Sequence, residues 1–349
     1  KPYQTFVSLA KYPASTGFAF RPSSILDNPF ELSSSTLAFN DGQPDIRITP
    51  MDQLSRWYSA SMKRKQNVKR LQANYTEGSE YFKAQLSNYL NHSRGLHISK
   101  NNLLITRSVE MSLYIIAQIL LAKGDQVLVG DLSMFSANMV FQRTGATVRT
   151  IPLDDNGIDV DYMRTHFQPG QIRMVYVTPH HHYPTTVTLS AQRRIALLQL
   201  AREYGFVIVE DDYDYDFQYE QLAVMPLASG DIDGMVVYVG SFGKSLAPAF
   251  QIGFVVAPDN FIAEMRKYLA IIDRQGDVIM EQALGEMIEE GEIHRQLKKS
   301  LKIYRERRDV FCEMLDTRFK GLVTFQKPAG GLALWTTWDK HISLFQLAN

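Results

Sequence analysis

The runs FVIVEDDYDYDF (Phe206–Phe217) and GMVVYVGSFGKSLAPAFQIGFVVAP (Gly234–Pro258) decide how the rest of this sequence is read. In the first, the apolar burst Phe206–Val209 runs straight into Glu210, Asp211, Asp212 and Tyr213, which is the pattern of a buried strand ending in acid. The second repeats the design. Met235–Val239 read as another buried strand, Ser241, Phe242, Gly243 and Lys244 form a turn, and a third strand runs through Val256. The order strand, acidic turn, loop, strand, lysine turn, strand implies an α/β fold. Its ligand would sit at the carboxyl ends of parallel strands.

A lone lysine between two buried strands is what carbonyl chemistry requires, because an amine in a dry pocket stays partly deprotonated and can condense with an aldehyde. Pyridoxal 5'-phosphate also needs a carboxylate beside its pyridine nitrogen, since a fixed negative charge favours the protonated ring. Asp211 is placed to supply it. Tyr213, two residues on, faces the same way at strand period, towards the ring hydroxyl. Ser241, three residues before Lys244, is placed to meet the phosphate. The competing reading is that Asp211 and Asp212 cap a loop and Lys244 is solvated.

The string VEDDYDYDFQYE (Val209–Glu220) resembles the EDDYDxEFxY of the aminotransferase-like domain of MocR/GabR-type regulators in the GntR superfamily, a domain related to fold type I pyridoxal phosphate enzymes. The resemblance extends from about Phe39 to Trp335. It implies a central, mostly parallel sheet flanked by helices, with a smaller C-terminal α/β domain. It also implies the cofactor as an internal aldimine on Lys244, an amine or amino-acid effector, and a homodimer. On this reading residues 1–38 are a linker, 39–270 the large cofactor domain and 271–349 the start of the small domain. The sequence begins at Lys1 and stops at Asn349, so it reads as part of a longer chain. DNA would be reached only through a winged-helix module preceding the linker and absent from this sequence.

The resemblance also assigns further positions. In NNLLITRSVEMSLYIIAQIL a strand turns into a helix at Ser108, so Ser108, Val109 and Glu110 fall where free N–H groups of a helix start meet a phosphate. Met134, with Phe135 next to it, falls on the pocket wall that covers the ring. MVYVTPHHHYPTT (Met174–Thr186) resembles TPxHQxPxG, which puts His181 and Tyr183 beside the ring. Tyr75, before Gly78, matches a tyrosine that reaches the neighbouring subunit's phosphate. The chain departs from the pattern at Ser108 (usually glycine), Glu110 (usually glutamine), Thr186 (usually glycine) and Gly243 (commonly serine). Seven residues after the lysine it carries Gln251 instead of a phosphate-neutralising arginine. Losing one charge-assisted contact weakens affinity roughly 10- to 100-fold.

The other features bound the function from outside. In 349 residues Lys plus Arg equals Asp plus Glu at 37 each, so overall charge does not point to nucleic acid or to a membrane surface. A single cysteine, Cys312, excludes an intramolecular disulfide framework. Neither a signal peptide nor an 18-residue apolar span appears, which makes the cytoplasm the expected compartment. The basic cluster Lys63, Arg64, Lys65, Lys69 and Arg70 reads as a solvated helix end before it reads as a DNA contact. Thr49 is expected to cap the helix that begins near Met51, with Pro50 in its first turn. Neighbours in the triple-histidine loop alternate sides and lack a cysteine or HxxxH partner, so a zinc site is not expected. Three functions fit: an effector sensor within a transcription regulator, a working aminotransferase, or a scaffold that has lost its cofactor. The acidic string favours the first.

Overall fold

The computed structural model describes residues 13–27, 42–70, 78–220, 224–246, 252–273, 276–344 and 346. Tyr75 and Gln251 lie outside them, as does most of the linker. Its described part, 13–27, is extended apart from one 3-10 turn at Ser24–Leu26.

Eleven strands are found among the described residues: β1 Leu103–Thr106, β2 Gln126–Gly130, β3 Thr147–Ile151, β4 Leu153–Asp154, β5 Gly157–Ile158, β6 Met174–Val177, β7 Val207–Asp211, β8 Val236–Ser241, β9 Gly253–Val256, β10 Val323–Phe325 and β11 Thr336–Trp338. Seven of them form one sheet in the order β1-β9-β8-β7-β6-β2-β3. Only β9 runs antiparallel to its neighbours. The helices are α1 Met51–Lys63, α2 Lys65–Arg70, α3 Glu80–Arg94, α4 Val109–Leu120, α5 Phe135–Arg143, α6 Val160–His166, α7 Ala191–Tyr204, α8 Leu227–Gly230, α9 Asp259–Ile272, α10 Val278–Glu289 and α11 Glu292–Arg318.

The sheet is covered on both faces, which is why its strands are near-continuous apolar runs instead of alternating ones. Val127, Val129, Tyr176, Val209 and Val239 pack under α4, α5 and α9. Leu128, Val175, Val177 and Ile208 pack under α6 and α7. A third cluster joins Phe82, Leu86 and Leu90 of α3 to Leu284 and Met287 of α10 and to Ile293 and Leu297 of α11, against Leu103 and Phe254 of the sheet. Each such fully buried side chain contributes roughly 1.5–3 kcal/mol. α10 and the start of α11 thus pack in one cluster with α3 and β1. The antiparallel pair β10–β11 follows α11.

Local chemistry sets the element ends. Ser108 accepts a hydrogen bond from Met111 N at 3.2 Å and Ser190 one from Arg193 N at 3.4 Å, so both cap their helices, the first at the start that the sequence predicts. Thr49 is not a cap. Its hydroxyl donates to Leu246 O, and Pro50 precedes α1 without any side-chain cap. That bond ties the entry of α1 to the lysine turn. Arg64 of the basic cluster pairs with the buried Glu286 of α10, a structural use of the charge.

Candidate functional site

Lys244 and Asp211 open into the same cavity. β7 and β8 are adjacent and parallel, and Asp211, the last residue of β7, pairs in register with Val239. Two residues later β8 ends at Ser241, and Phe242 plugs the turn into the core against Phe82 and Phe254, with its N–H bonded to Ile252 O. The next residues, Gly243 and Lys244, are thereby held at the strand tips. The cavity measures about 430 Å³ and is lined by Asp211, Tyr213, Ser241, Gly243, Lys244, Ser108, Val109, Glu110, Met134 and Tyr183. Gln43, Pro44, Arg107 and Ile252 complete the wall. This volume lies within the range of sites that take small molecules or cofactors.

Asp211 is fully buried. Tyr176 OH donates to its Oδ2 at 2.7 Å, while Oδ1 meets no hydrogen-bond partner among the described residues. Burial pushes the carboxyl up to about 7; the Tyr176 hydrogen bond opposes the rise, and the negative charge of Glu110 adds to it. Lys244 Nζ donates to Gly42 O at 2.7 Å and stands 5.8 Å from the centre of the Tyr213 ring. Tyr213 OH donates to His181 O at 3.0 Å, and its ring meets Tyr183 edge-on at 6.4 Å. Glu110 occupies the first turn of α4, where the helix dipole favours an acid.

His181 does not line the cavity. Its Nδ1 stands 2.8 Å from Asp214 Oδ1, and the imidazole packs so closely on Gly330 that a Cβ there would lie 2.3 Å from Nε2. The same pattern runs through the acidic string. Glu210 accepts from Leu227 N and Ala228 N at 2.8 and 2.9 Å and so caps α8. Asp212 accepts from Tyr238 OH at 2.7 Å and stands 2.9 Å from His180 Nδ1. Asp216 pairs with Arg94 at 3.2 Å and accepts from Ser245 OH. Of these acids only Asp211 lines the cavity; Glu210, Asp212, Asp214 and Asp216 hold the fold around it. Thr186 adopts φ +63°, a region that glycine enters freely and a β-branched residue enters at a cost.

Four cavity residues escaped the sequence reading. Gln43 and Pro44 lie in a turn-rich stretch with no periodic signal, and Ile252 read as strand. Arg107 directly precedes the helix start at Ser108, and a cation beside a candidate phosphate position was a usable signal.

The model of the aminotransferase class I and II family matches residues 36–347, and the chain belongs to that family. Its fold is that of the fold type I pyridoxal phosphate-dependent aminotransferases, and the cofactor of the family is pyridoxal 5'-phosphate. The crystal structure of kynurenine aminotransferase from Pyrococcus horikoshii superposes with a TM-score of 0.81 at 28% identity, over 88% of this chain and 76% of that one. Aromatic-amino-acid aminotransferase 1 of Thermococcus litoralis is 27% identical over 89% of this chain and 75% of its own length. The HTH-type transcriptional regulator TauR of Rhodobacter capsulatus is 32% identical over 69% of this chain, which spans 49% of that regulator. The relatives thus include both enzymes and regulators.

Proposed function

We propose that this chain is the effector-sensing and dimerising domain of a MocR-type transcription regulator. It would hold pyridoxal phosphate on Lys244 and respond to an amine or amino acid. The cavity fits the cofactor: Asp211 Oδ1, a buried carboxylate oxygen without a hydrogen-bond partner among the described residues, stands where a protonated pyridine nitrogen would supply a donor, and a primary amine faces the same space. When bound, the cofactor supplies an aldehyde that exchanges between amines and an electron-poor ring. Asp211 would hold the ring's proton by charge, Tyr213 and Tyr183 would wall the ring, Ser108 and Ser241 would offer hydroxyls to the phosphate, and the Lys244 amine would hold the aldehyde.

The observation that carries the sensor reading is the path of the acidic string. From Asp211 in the cavity it runs to Phe217, whose carbonyl accepts from Gly331 N at 2.7 Å, and to Tyr219, which bonds Ala329 O at 3.0 Å through its N–H and Gly331 O at 2.6 Å through its hydroxyl. The cavity wall is thereby joined through one short string to the segment leading to β11, the connection a sensor would use. In this reading a second copy of the chain completes the assembly, and a winged-helix module preceding the linker contacts DNA.

A second reading, a working aminotransferase, is favoured by similarity to the Thermococcus enzyme across nearly the whole chain. There the Lys244 amine would also move the substrate's α-proton. Spectroscopy separates the two. Purified protein is titrated with pyridoxal phosphate and then challenged with amines and amino acids, with and without a keto acid. The sensor reading expects a visible absorption band, absent in Lys244→Ala, that shifts with one class of amine without sustained product formation. Steady turnover would replace it with the enzyme reading, and a colourless protein would remove both.

A further inference from the structure

Lys244 sits in a single turn whose residues are held in two different ways. Leu246 N donates to Phe242 O at 2.9 Å, which closes that turn directly after β8. Gly243 and Lys244 line the cavity, whereas Phe242 and Leu246 are buried in the cluster with α3, and Ser245 is buried as well. Apolar burial keeps such a turn in place but fixes its rotation only loosely, because it is non-directional. A hydrogen bond to a carboxylate is directional. The Ser245 hydroxyl makes one, donating to Asp216 Oδ2.

Asp216 is itself held. Its other oxygen, Oδ1, receives Arg94 Nη2 at 3.2 Å and Tyr89 OH at 3.4 Å, and the side chains of Arg94 and Asp216 are nearly dry, at 3% and 6% exposure. Arg94 stands 4.6 Å over the Tyr215 ring and donates from Nη1 to Tyr238 OH, which donates in turn to Asp212 Oδ2 at 2.7 Å. Asp212 follows Asp211 in the chain. The path from Asp211 through Asp212, Tyr238, Arg94, Asp216 and Ser245 therefore closes on Lys244, and each link in it is a chain neighbour or a hydrogen bond. Condensation of a lysine amine with an aldehyde joins Nζ to the carbonyl carbon and releases water. Such a step is sensitive to where the amine stands, since a misplacement of about 1 Å costs up to about 100-fold.

We propose that Asp216 is the positioning residue for Lys244. Acting through the Ser245 hydroxyl and braced by Arg94, it sets the amine's place relative to Asp211, so that one acidic string governs both ends of the cavity chemistry. This rests on the cofactor reading above.

The test compares pyridoxal phosphate with deoxypyridoxine phosphate, which keeps the ring and the phosphate but carries a methyl group in place of the aldehyde and so cannot join Lys244. Each is titrated against the whole chain, the first by absorbance and the second by calorimetry, at a temperature where the variant is folded. Ser245→Ala is expected to cut the advantage of the aldehyde ligand roughly 10- to 100-fold, the worth of a hydrogen bond to a charged group, while the deoxy analogue binds as it does to wild type. Ser245→Thr keeps the hydroxyl and should recover most of the advantage. Should Ser245→Ala fail to fold, Ser245→Cys, close in size and a weak donor, replaces it under the same expectation. Asp216→Asn should lower the advantage as well, and the double variant should be no worse than the poorer single one, because both act at one bond. Losses that simply add would overturn the inference. If the folded Ser245 variant keeps the wild-type ratio between the ligands, or loses both equally, the contact is structural and the inference fails while the cofactor reading stands. A Ser245→Thr variant as poor as Ser245→Ala shows that the hydroxyl is not what acts, and the inference fails equally. Wild-type protein that takes up neither ligand, or shows no advantage for the aldehyde, removes both.

Discussion

Replacing Asp211 by asparagine should make the cofactor-free protein more stable at pH 8. In water an aspartate ionises near 3.8, whereas burial holds this one at about 7, with Tyr176 as its only hydrogen-bond donor among the described residues. The folded state therefore binds the proton more tightly than the unfolded chain does. As the pH rises from about 4 to about 7 the group takes stability away, and above 7 the loss is complete, on the order of 4 kcal/mol. Asparagine carries no charge to bury but brings an amide N–H₂ to the position of Oδ1, which costs about 1–3 kcal/mol if it stays unpaired. The expected net gain is about 1–3 kcal/mol at pH 8, vanishing or reversing near pH 4. Urea unfolding of cofactor-free wild type and variant at pH 4.5, 6 and 8 measures it. Glu210, raised to about 8, and Glu281, raised to about 7, contribute to both proteins and cancel in the difference. Adding pyridoxal phosphate should reverse the ranking, since a ligand stabilises the folded state with the logarithm of its affinity. A variant no more stable than wild type at pH 8, or a difference independent of pH, would refute the assignment of a desolvated carboxylate. Equal stabilisation of both proteins by the cofactor would refute its role.

Two further substitutions test the scaffold. Arg94 is fully buried, pairs with Asp216 at 3.2 Å and lies 4.6 Å over the Tyr215 ring. Arg94→Met strands a buried carboxylate and should cost about 3–5 kcal/mol in denaturant unfolding; a cost below about 1 kcal/mol would show that water reaches Asp216. Thr186→Gly relieves a left-handed backbone, and the gain in the folded state should exceed the entropy lost by roughly 0.5–1 kcal/mol, read as a small rise in melting temperature.

What the sequence revealed and what it hid follow from the range of the interactions. Asp211 and Lys244 were legible as cavity residues because Asp211 ends one apolar run and Lys244 lies in the turn just after another. The helix start at Ser108 was legible because capping is local. Thr49 failed because a long-range acceptor, Leu246 O, captured its hydroxyl. His181 failed for a related reason: a match to a loop pattern gives its position along the chain, but Asp214 and the flat approach of Gly330 decide where the imidazole goes. The acidic string is the instructive case. Read along the sequence, its carboxylates look like one functional patch. In the fold Asp211, at the end of β7, and Tyr213, in the turn after it, line the cavity, Glu210 and Asp212 turn to α8 and Tyr238, and Asp214 and Asp216 find His181 and Arg94. The motif is thus mostly a means of holding one carboxylate rigid and dry. A site of this kind reads clearly in sequence because its scaffold, more than its chemistry, fixes the residue types.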